Sequence, residues 1–249
     1  VDIKAMDGII TANLDNGKLK AKIQNILVQN IFLMIGQKPL LNGELNGELN
    51  LDSIDIANLN GKGDIKLENG VLNAANLKEL TNKEFPQNTT LNAHIKPTFT
   101  NSTVHFASII NSNLATINKF DGSYDINKNS LEALYSADIP SLAQLEFLTG
   151  MKLNGALNPS GKISINESIN ATLNSDFIGS KLKIDIKDNK ANLNLSTFEI
   201  AKLLEFLDFM PFYEGQATLN ANYNLDSAKG DFNADIAKGQ LAKSGLTTQ

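Results

Sequence analysis

Twelve consecutive residues, Leu41 to Asp52 (LNGELNGELNLD), alternate without a fault. Leu41, Gly43, Leu45, Gly47, Leu49 and Leu51 hold one parity, and Asn42, Glu44, Asn46, Glu48, Asn50 and Asp52 hold the other. Period two is the signature of a strand with one face apolar and one face wet. Asn-Gly nevertheless occurs twice here, and between apolar positions it is the strongest local hairpin signal. Two tight turns therefore compete with one long strand. The alternation recurs at Ile65 and Leu67, Leu91 to Phe99, Tyr124 and Ile126, Ile163 and Ile165, Leu182 to Ile186, Ala191 to Leu195 and Ala217 to Leu225. Such half-exposed strands belong to antiparallel sheets rather than to buried parallel ones. Turn-type residues punctuate them at Asp15-Asn16-Gly17, Glu68-Asn69-Gly70, Asn127-Lys128-Asn129, Pro159-Ser160-Gly161 and Asp188-Asn189. The pattern predicts a mainly β chain of about eighteen strands.

Three segments switch to helical spacing, at about residues 26-36, 140-149 and 197-209. Ser196-x-x-Glu199 and Ser141-x-x-Gln144 have the form of capping boxes, and Phe198, Ala201, Leu204 and Leu207 fall on one helical face. The segments repeat. Ile23 to Gly43 lies over Leu195 to Gly215 without a gap, Pro39 falling on Pro211 and Gly43 on Gly215. A middle copy joins with one gap, Leu145 to Leu148 matching Leu204 to Leu207 and Gly155 matching Gly43, and NLKELTNKEFPQNTTLNAHI is a fainter fourth. The third copy reads EGQATLNANYNLDS, with Ala, Leu, Ala and Tyr where turns would need Gly or Asn. The repeat thus decides for one long strand, and Gly43 and Gly47 are strand glycines that mark a bulge, a bend or a close backbone approach.

Function classes narrow by elimination. All 22 basic residues are Lys, and with 27 acidic ones the net charge is −5, which disfavours nucleic-acid binding. No Cys is available for disulfides or thiolate chemistry. Glu44 and Glu48 are separated by roughly 13 Å at strand rise, too far for a hydrolytic carboxylate pair. His94 and His105 take polar parity with no further metal ligands at useful spacing. Neither catalysis nor a cofactor is expected. The longest apolar run, Ile26 to Gly36, is about half the length of a membrane-spanning helix. Opening on Val1 and stopping on Thr247-Thr248-Gln249, the chain is expected to be a fragment of a longer protein, organised as one elongated array over 1-249 with modules at about 1-36, 37-85, 86-149, 150-209 and 210-249.

The apolar parity must be covered by something. About eighteen strands at 4.8 Å give a sheet on the order of 85 Å across, more than three or four short amphipathic helices can cover. Two sheets packed as a sandwich would fill the need, and periodicity alone favours that arrangement. A sheet curled into a trough wide enough for acyl chains is the alternative.

The stretch LLNGELNGELNLDSIDIANLNGKGDIKLENGVLNAANLKEL resembles the AsmA family in its order: a short helix, a strand opening with Gly, a second strand through Gly61 and Gly63, then Ile65 to Leu77. The tail EGQATLNANYNLDSAKGDFNADIAKGQLAKSGLT is similar to it, with Lys238-Gly239-Gln240-Leu241 where the first has Glu68-Asn69-Gly70-Val71. The resemblance implies a long curled antiparallel sheet of repeating β-groove modules with three or four short helices. It implies a periplasmic segment tethered to the inner membrane by an N-terminal anchor outside this sequence, related to TamB-like and YhdP-like bridge-like lipid transfer proteins. Phospholipid or another acyl lipid would be the cargo, moving toward the outer membrane, with an outer-membrane protein as possible partner and no nucleic acid. The groove would be lined by Leu45, Leu49, Leu51, Ile65, Leu67, Leu91, Ile95, Ile163, Ile165, Leu182, Ile184, Leu193, Leu219 and Tyr223. Two other readings stay open: a structural or assembly scaffold, such as a periplasmic rod or adhesin-like β array without lipid, and a membrane-surface helix at LLEFLDFMPF, against which Glu205 and Asp208 count.

Overall fold

The computed structural model describes residues 1-55 and 58-242. Fifteen antiparallel strands follow one another in chain order, β1 to β15, in one sheet with no second sheet among the described residues. The mainly β reading therefore holds, while the filled sandwich does not. The strand number falls short of eighteen because some turn-type residues sit inside strands. Asn69 adopts φ +52° within the strand Asn60–Leu72, so Glu68-Asn69-Gly70 is an irregularity of that strand and no turn. Hairpins form where two successive residues accept positive φ, as at Asn16-Gly17 and Asp188-Asn189. Met6-Asp7 does so too, without the usual residues.

The chain divides into two units, 1-133 and 134-249. Unit 1 holds β1 (Asp2–Ala5), β2 (Gly8–Asp15), β3 (Lys18–Leu27), β4 (Leu41–Ser53), β5 (Asn60–Leu72), β6 (Asn92–Thr100), β7 (Thr103–Asn111) and β8 (Thr116–Asp125). Helix α1 (Val28–Met34) joins β3 to β4, and α2 (Ala74–Thr81) joins β5 to β6. Alternate strands of an antiparallel sheet run the same way, so both helices lie at one end of the strands. Asn73 caps α2, its Oδ1 accepting from Asn76 N at 3.1 Å, and Asn82 closes it in the left-handed conformation. The loop between α1 and β4 is tied to α2 by Lys38 to Glu79 and by Asn76 Nδ2 donating to Pro39 O at 2.6 Å.

The boundary falls within β9 (Ser130–Asp138). Unit 2 continues with a 3₁₀ turn (Leu142–Leu145) and α3 (Glu146–Thr149), then β10 (Ser160–Ile165), β11 (Ile169–Phe177), β12 (Ser180–Lys187) and β13 (Lys190–Glu199). It closes with α4 (Ile200–Phe206), β14 (Tyr213–Asn224) and β15 (Lys229–Leu241). Neither expected capping box forms: Ser141 and Glu199 occupy the N-cap positions and neither makes a side-chain cap bond. Ser196 and Phe198 lie in β13, and the helix begins only at Ile200.

The repeat is exact at the level of backbone irregularities. β3 and β4 slip register between Ile23 and Ile26, and β13 and β14 slip between Leu195 and Phe198, 172 positions on. Helices α1 and α4 keep the same offset at both ends. So does the bulge that brackets Gly43 between Asn42 and Glu44, matched between Glu214 and Gln216 around Gly215. Gly43 thus marks a bulge, and Gly47 a close approach: a Cβ there would sit 2.5 Å from Asp64 O. In the third copy the pair Gly47–Ile65 becomes Leu219–Ala234, the bulk moving to the other strand.

Candidate functional site

The site is a face rather than a pocket. In unit 1 the register sets Ile10, Ile23, Gly47, Ile65, Ile95 and Ser108 side by side across six strands. Leu67 pairs with Leu45, while Leu49 and Leu51 pair with Gly63 and Gly61 on the same face. Phe106 and Phe120 extend it, their rings 5.4 Å apart. Sequence reasoning passed over Ile10, Ile23 and this ring pair, although Val104 and Phe106 keep the parity until the slip after Ser108. Leu91 precedes β6, its amide donating to Gly70 O at 2.9 Å, so no ladder pairing fixes its facing.

In unit 2, Leu173, Ile184, Leu193, Ala221 and Phe232 form one row. Ile163, Ala171, Ile186, Ala191 and Tyr223 form the next, with Ile165 opposite Ile169. Leu182 and Leu219 both lie opposite Leu195. All the expected lining residues except Leu91 therefore share the apolar face of their unit.

Coverage of that face is uneven. Where α4 folds back, Leu195, Phe198 and Ala217 are buried, and Leu182, Leu193 and Leu219 pack against them with Ile200 and Leu203. Phe206 of α4 meets the Phe177 ring edge-on at 4.6 Å. In unit 1, Ile26 is 3% exposed beside α1. Away from the helices most face residues are only half-buried, and Ile3, Tyr223 and Phe232 are 49%, 45% and 76% exposed. Large apolar side chains left this open over a contiguous surface are unusual.

The opposite face is polar. Lys22, Glu48 and Asp64 neighbour one another across β3 to β5, and His94 Nε2 lies 2.8 Å from Asp64 Oδ1. Lys183, Asn194, Asn220 and Asn233 form a row in unit 2, with Asn194 Nδ2 donating to Asn220 Oδ1 at 2.6 Å. Among the described residues no group of His, Asp and Glu is arranged to hold a metal ion.

The two carboxyls with displaced pKa values lie at the end of a strand and just after a helix. Asp208, after α4, accepts from Asn154 Nδ2 at 2.8 Å and from Lys152 Nζ at 3.0 Å. The Asn154 bond first, and Lys152 second, hold its carboxyl below the ordinary carboxylate value. Asn154 also donates its amide to Phe206 O and its Nδ2 to Glu205 O, satisfying the carboxyl end of α4. Asp125 is lowered chiefly by the Lys128 amide in the turn after β8. No helix of the described residues is long and apolar enough to cross a membrane.

This fold and face define an open antiparallel sheet punctuated by short helices at its strand ends. Comparison with protein families, with curated proteins and with solved structures finds no match to the chain.

Proposed function

We propose that this chain is a non-enzymatic lipid-binding segment of an AsmA-like envelope protein, and that acyl chains lie along the apolar face of each unit. The observation that carries the reading is the row Ile10, Ile23, Gly47, Ile65 and Ile95, with no second sheet to cover it among the described residues. Such a face is costly to expose, and each lipid methylene that leaves water on it contributes about 0.8 kcal/mol. Apolar rows have no directional bonds to break, so a lipid can shift along them in small steps while its headgroup stays in water. The periplasmic location, the inner-membrane tether and transfer of phospholipid toward the outer membrane rest on the resemblance of the Leu40 to Leu80 stretch alone.

The test is direct. The chain is purified from a Gram-negative periplasm, extracted with organic solvent, and the extract analysed by mass spectrometry; the delipidated chain is then offered vesicles carrying a fluorescent phospholipid. Co-purified phospholipid and uptake from vesicles are expected. A lipid-free preparation that also takes up none would overturn the reading and leave the scaffold alternative.

A further inference from the structure

Asn-Gly occurs at six places: Asn16-Gly17, Asn42-Gly43, Asn46-Gly47, Asn60-Gly61, Asn69-Gly70 and Asn154-Gly155. The pair is chemically labile, because a glycine without a Cβ lets its backbone nitrogen close on the asparagine side-chain carbonyl carbon. Five of the six are restrained. Gly43 donates its amide to Gln29 Oε1 at 3.2 Å, and Gly70 donates to Asn92 Oδ1 at 3.3 Å. Asn46 is held through both ends of its side-chain amide, by Asn25 N at 2.8 Å and Glu68 Oε2 at 2.9 Å, and Gly47 lies in the ladder between Ile23 and Ile65. Gly61 lies likewise between Leu51 and Phe99. Asn154 spends its Nδ2 on Glu205 O and Asp208 Oδ1 at the end of α4. Asn16-Gly17 differs. It is the exposed two-residue turn between β2 and β3, with Asp15 opposite Lys18. Among the described residues neither the Asn16 side chain nor the Gly17 amide has a hydrogen-bond partner. A Cβ on Gly17 would meet nothing within 4 Å, so the turn has room to change shape.

We propose that Asn16 is a self-modification site, at which the folded chain converts asparagine to isoaspartate and aspartate while the other five pairs stay intact. The Gly17 backbone nitrogen attacks Asn16 Cγ; the new N–Cγ bond forms, the Cγ–Nδ2 bond breaks, and Nδ2 leaves as ammonia with the Gly17 amide proton. Water then opens the succinimide. Attack at the backbone carbonyl carbon leaves the chain running through Cγ, which is isoaspartate, and attack at Cγ leaves aspartate. To react, the turn leaves its left-handed conformation, φ +48° at Asn16 and +77° at Gly17, and no hydrogen bond from either group opposes this among the described residues. The internal repeat separates the two products. Asp188-Asn189 fills the same turn 172 positions on, with φ +48° at Asp188. Aspartate at position 16 therefore suits this turn, whereas isoaspartate adds a backbone methylene to a turn of two residues and loosens the β2–β3 hairpin. The chemistry needs only water and is independent of lipid.

The test incubates the full chain at mildly alkaline pH, folded and in urea, and follows each Asn-Gly peptide by mass spectrometry, with electron-transfer fragmentation to tell isoaspartate from aspartate. A restrained pair reacts only through local opening, and an opening cost of 1.4 kcal/mol slows it about tenfold. In the folded chain Asn16 is therefore expected to convert at least about tenfold faster than each of the other five, and in urea that advantage is expected to vanish. Asn16→Gln removes the early conversion and leaves the other five rates unchanged. Asn16→Asp, made directly, unfolds at the parent's urea midpoint, and the isoaspartyl fraction separated from the incubated chain unfolds earlier. Conversion of Asn16 no faster than that of the other five in the folded chain overturns the proposal, as does an Asn16 that reacts in urea but not when folded. An isoaspartyl fraction as stable as the parent overturns the loosening of the hairpin.

Discussion

Leu49→Asp separates an open face from a covered one. Leu49 lies between Ala21 of β3 and Gly63 of β5, and is half-buried. Full burial of a leucine is worth about 1.5–3 kcal/mol, so losing the half that is shielded costs about 1 kcal/mol. The poor strand propensity of Asp adds up to about 1 kcal/mol. The carboxylate still reaches water, and the total is about 2 kcal/mol. Under a second layer the same charge would be buried and unpaired, at a further 3–5 kcal/mol or so. With an m value of about 2 kcal/mol/M in urea, the open face predicts a midpoint lowered by about 1 M. The assay is urea unfolding followed by circular dichroism, with lipid loading measured on the same preparation. A loss above about 2.5 M, or an insoluble product, would refute the open face. A normal melt with full lipid loading would refute its use.

Phe198→Ala, at 5% exposure under α4, is expected to cost about 3–5 kcal/mol, and Ile26→Ala at the matching place about 2–5 kcal/mol, both read from urea midpoints. Gly47→Leu drives a side chain into the β5 backbone and is expected to cost about 1–3 kcal/mol; combined with Ile65→Ala, which reproduces the Leu219–Ala234 pair, the loss is expected to be smaller than the sum, as a double-mutant cycle would measure. The depressed carboxyl of Asp208 contributes stability that is present above the unfolded-state value of about 3.9 and is lost as pH falls through the lower folded value. Melting temperature against pH should therefore fall less steeply on the acid side in Asp208→Asn than in the parent; identical slopes would remove Asp208 from the acid response.

Much of this fold is legible because alternation is a local property. The strand Leu41–Ser53, its strand glycines and the helix sites after β3, β9 and β13 all follow from the spacing and the repeat. What is not legible follows from bulges. A bulge adds one residue and reverses parity, so Leu195 and Phe198, three positions apart, reach the same core, and Phe198 mimics the first residue of a helical face. Ile23 and Ile26 behave in the same way. The strand Asn60–Leu72 likewise runs through Asn69-Gly70, which in sequence is indistinguishable from a hairpin turn. The clamp of Asn154 and Lys152 on the end of α4 joins residues more than fifty positions apart, beyond the reach of any local pattern.

The most direct test of lipid along the sheet uses the fact that one step along a strand reverses its face. A photo-crosslinking side chain is placed at Leu45, Leu49 and Ile184, and separately at Glu44, Glu48 and Asp185, in the envelope of living Gram-negative cells. The first three share the apolar faces of their units and the second three the polar faces. Lipid adducts at the first set and few at the second are the predicted result. Equal lipid labelling of both sets, or no lipid at either, would contradict it.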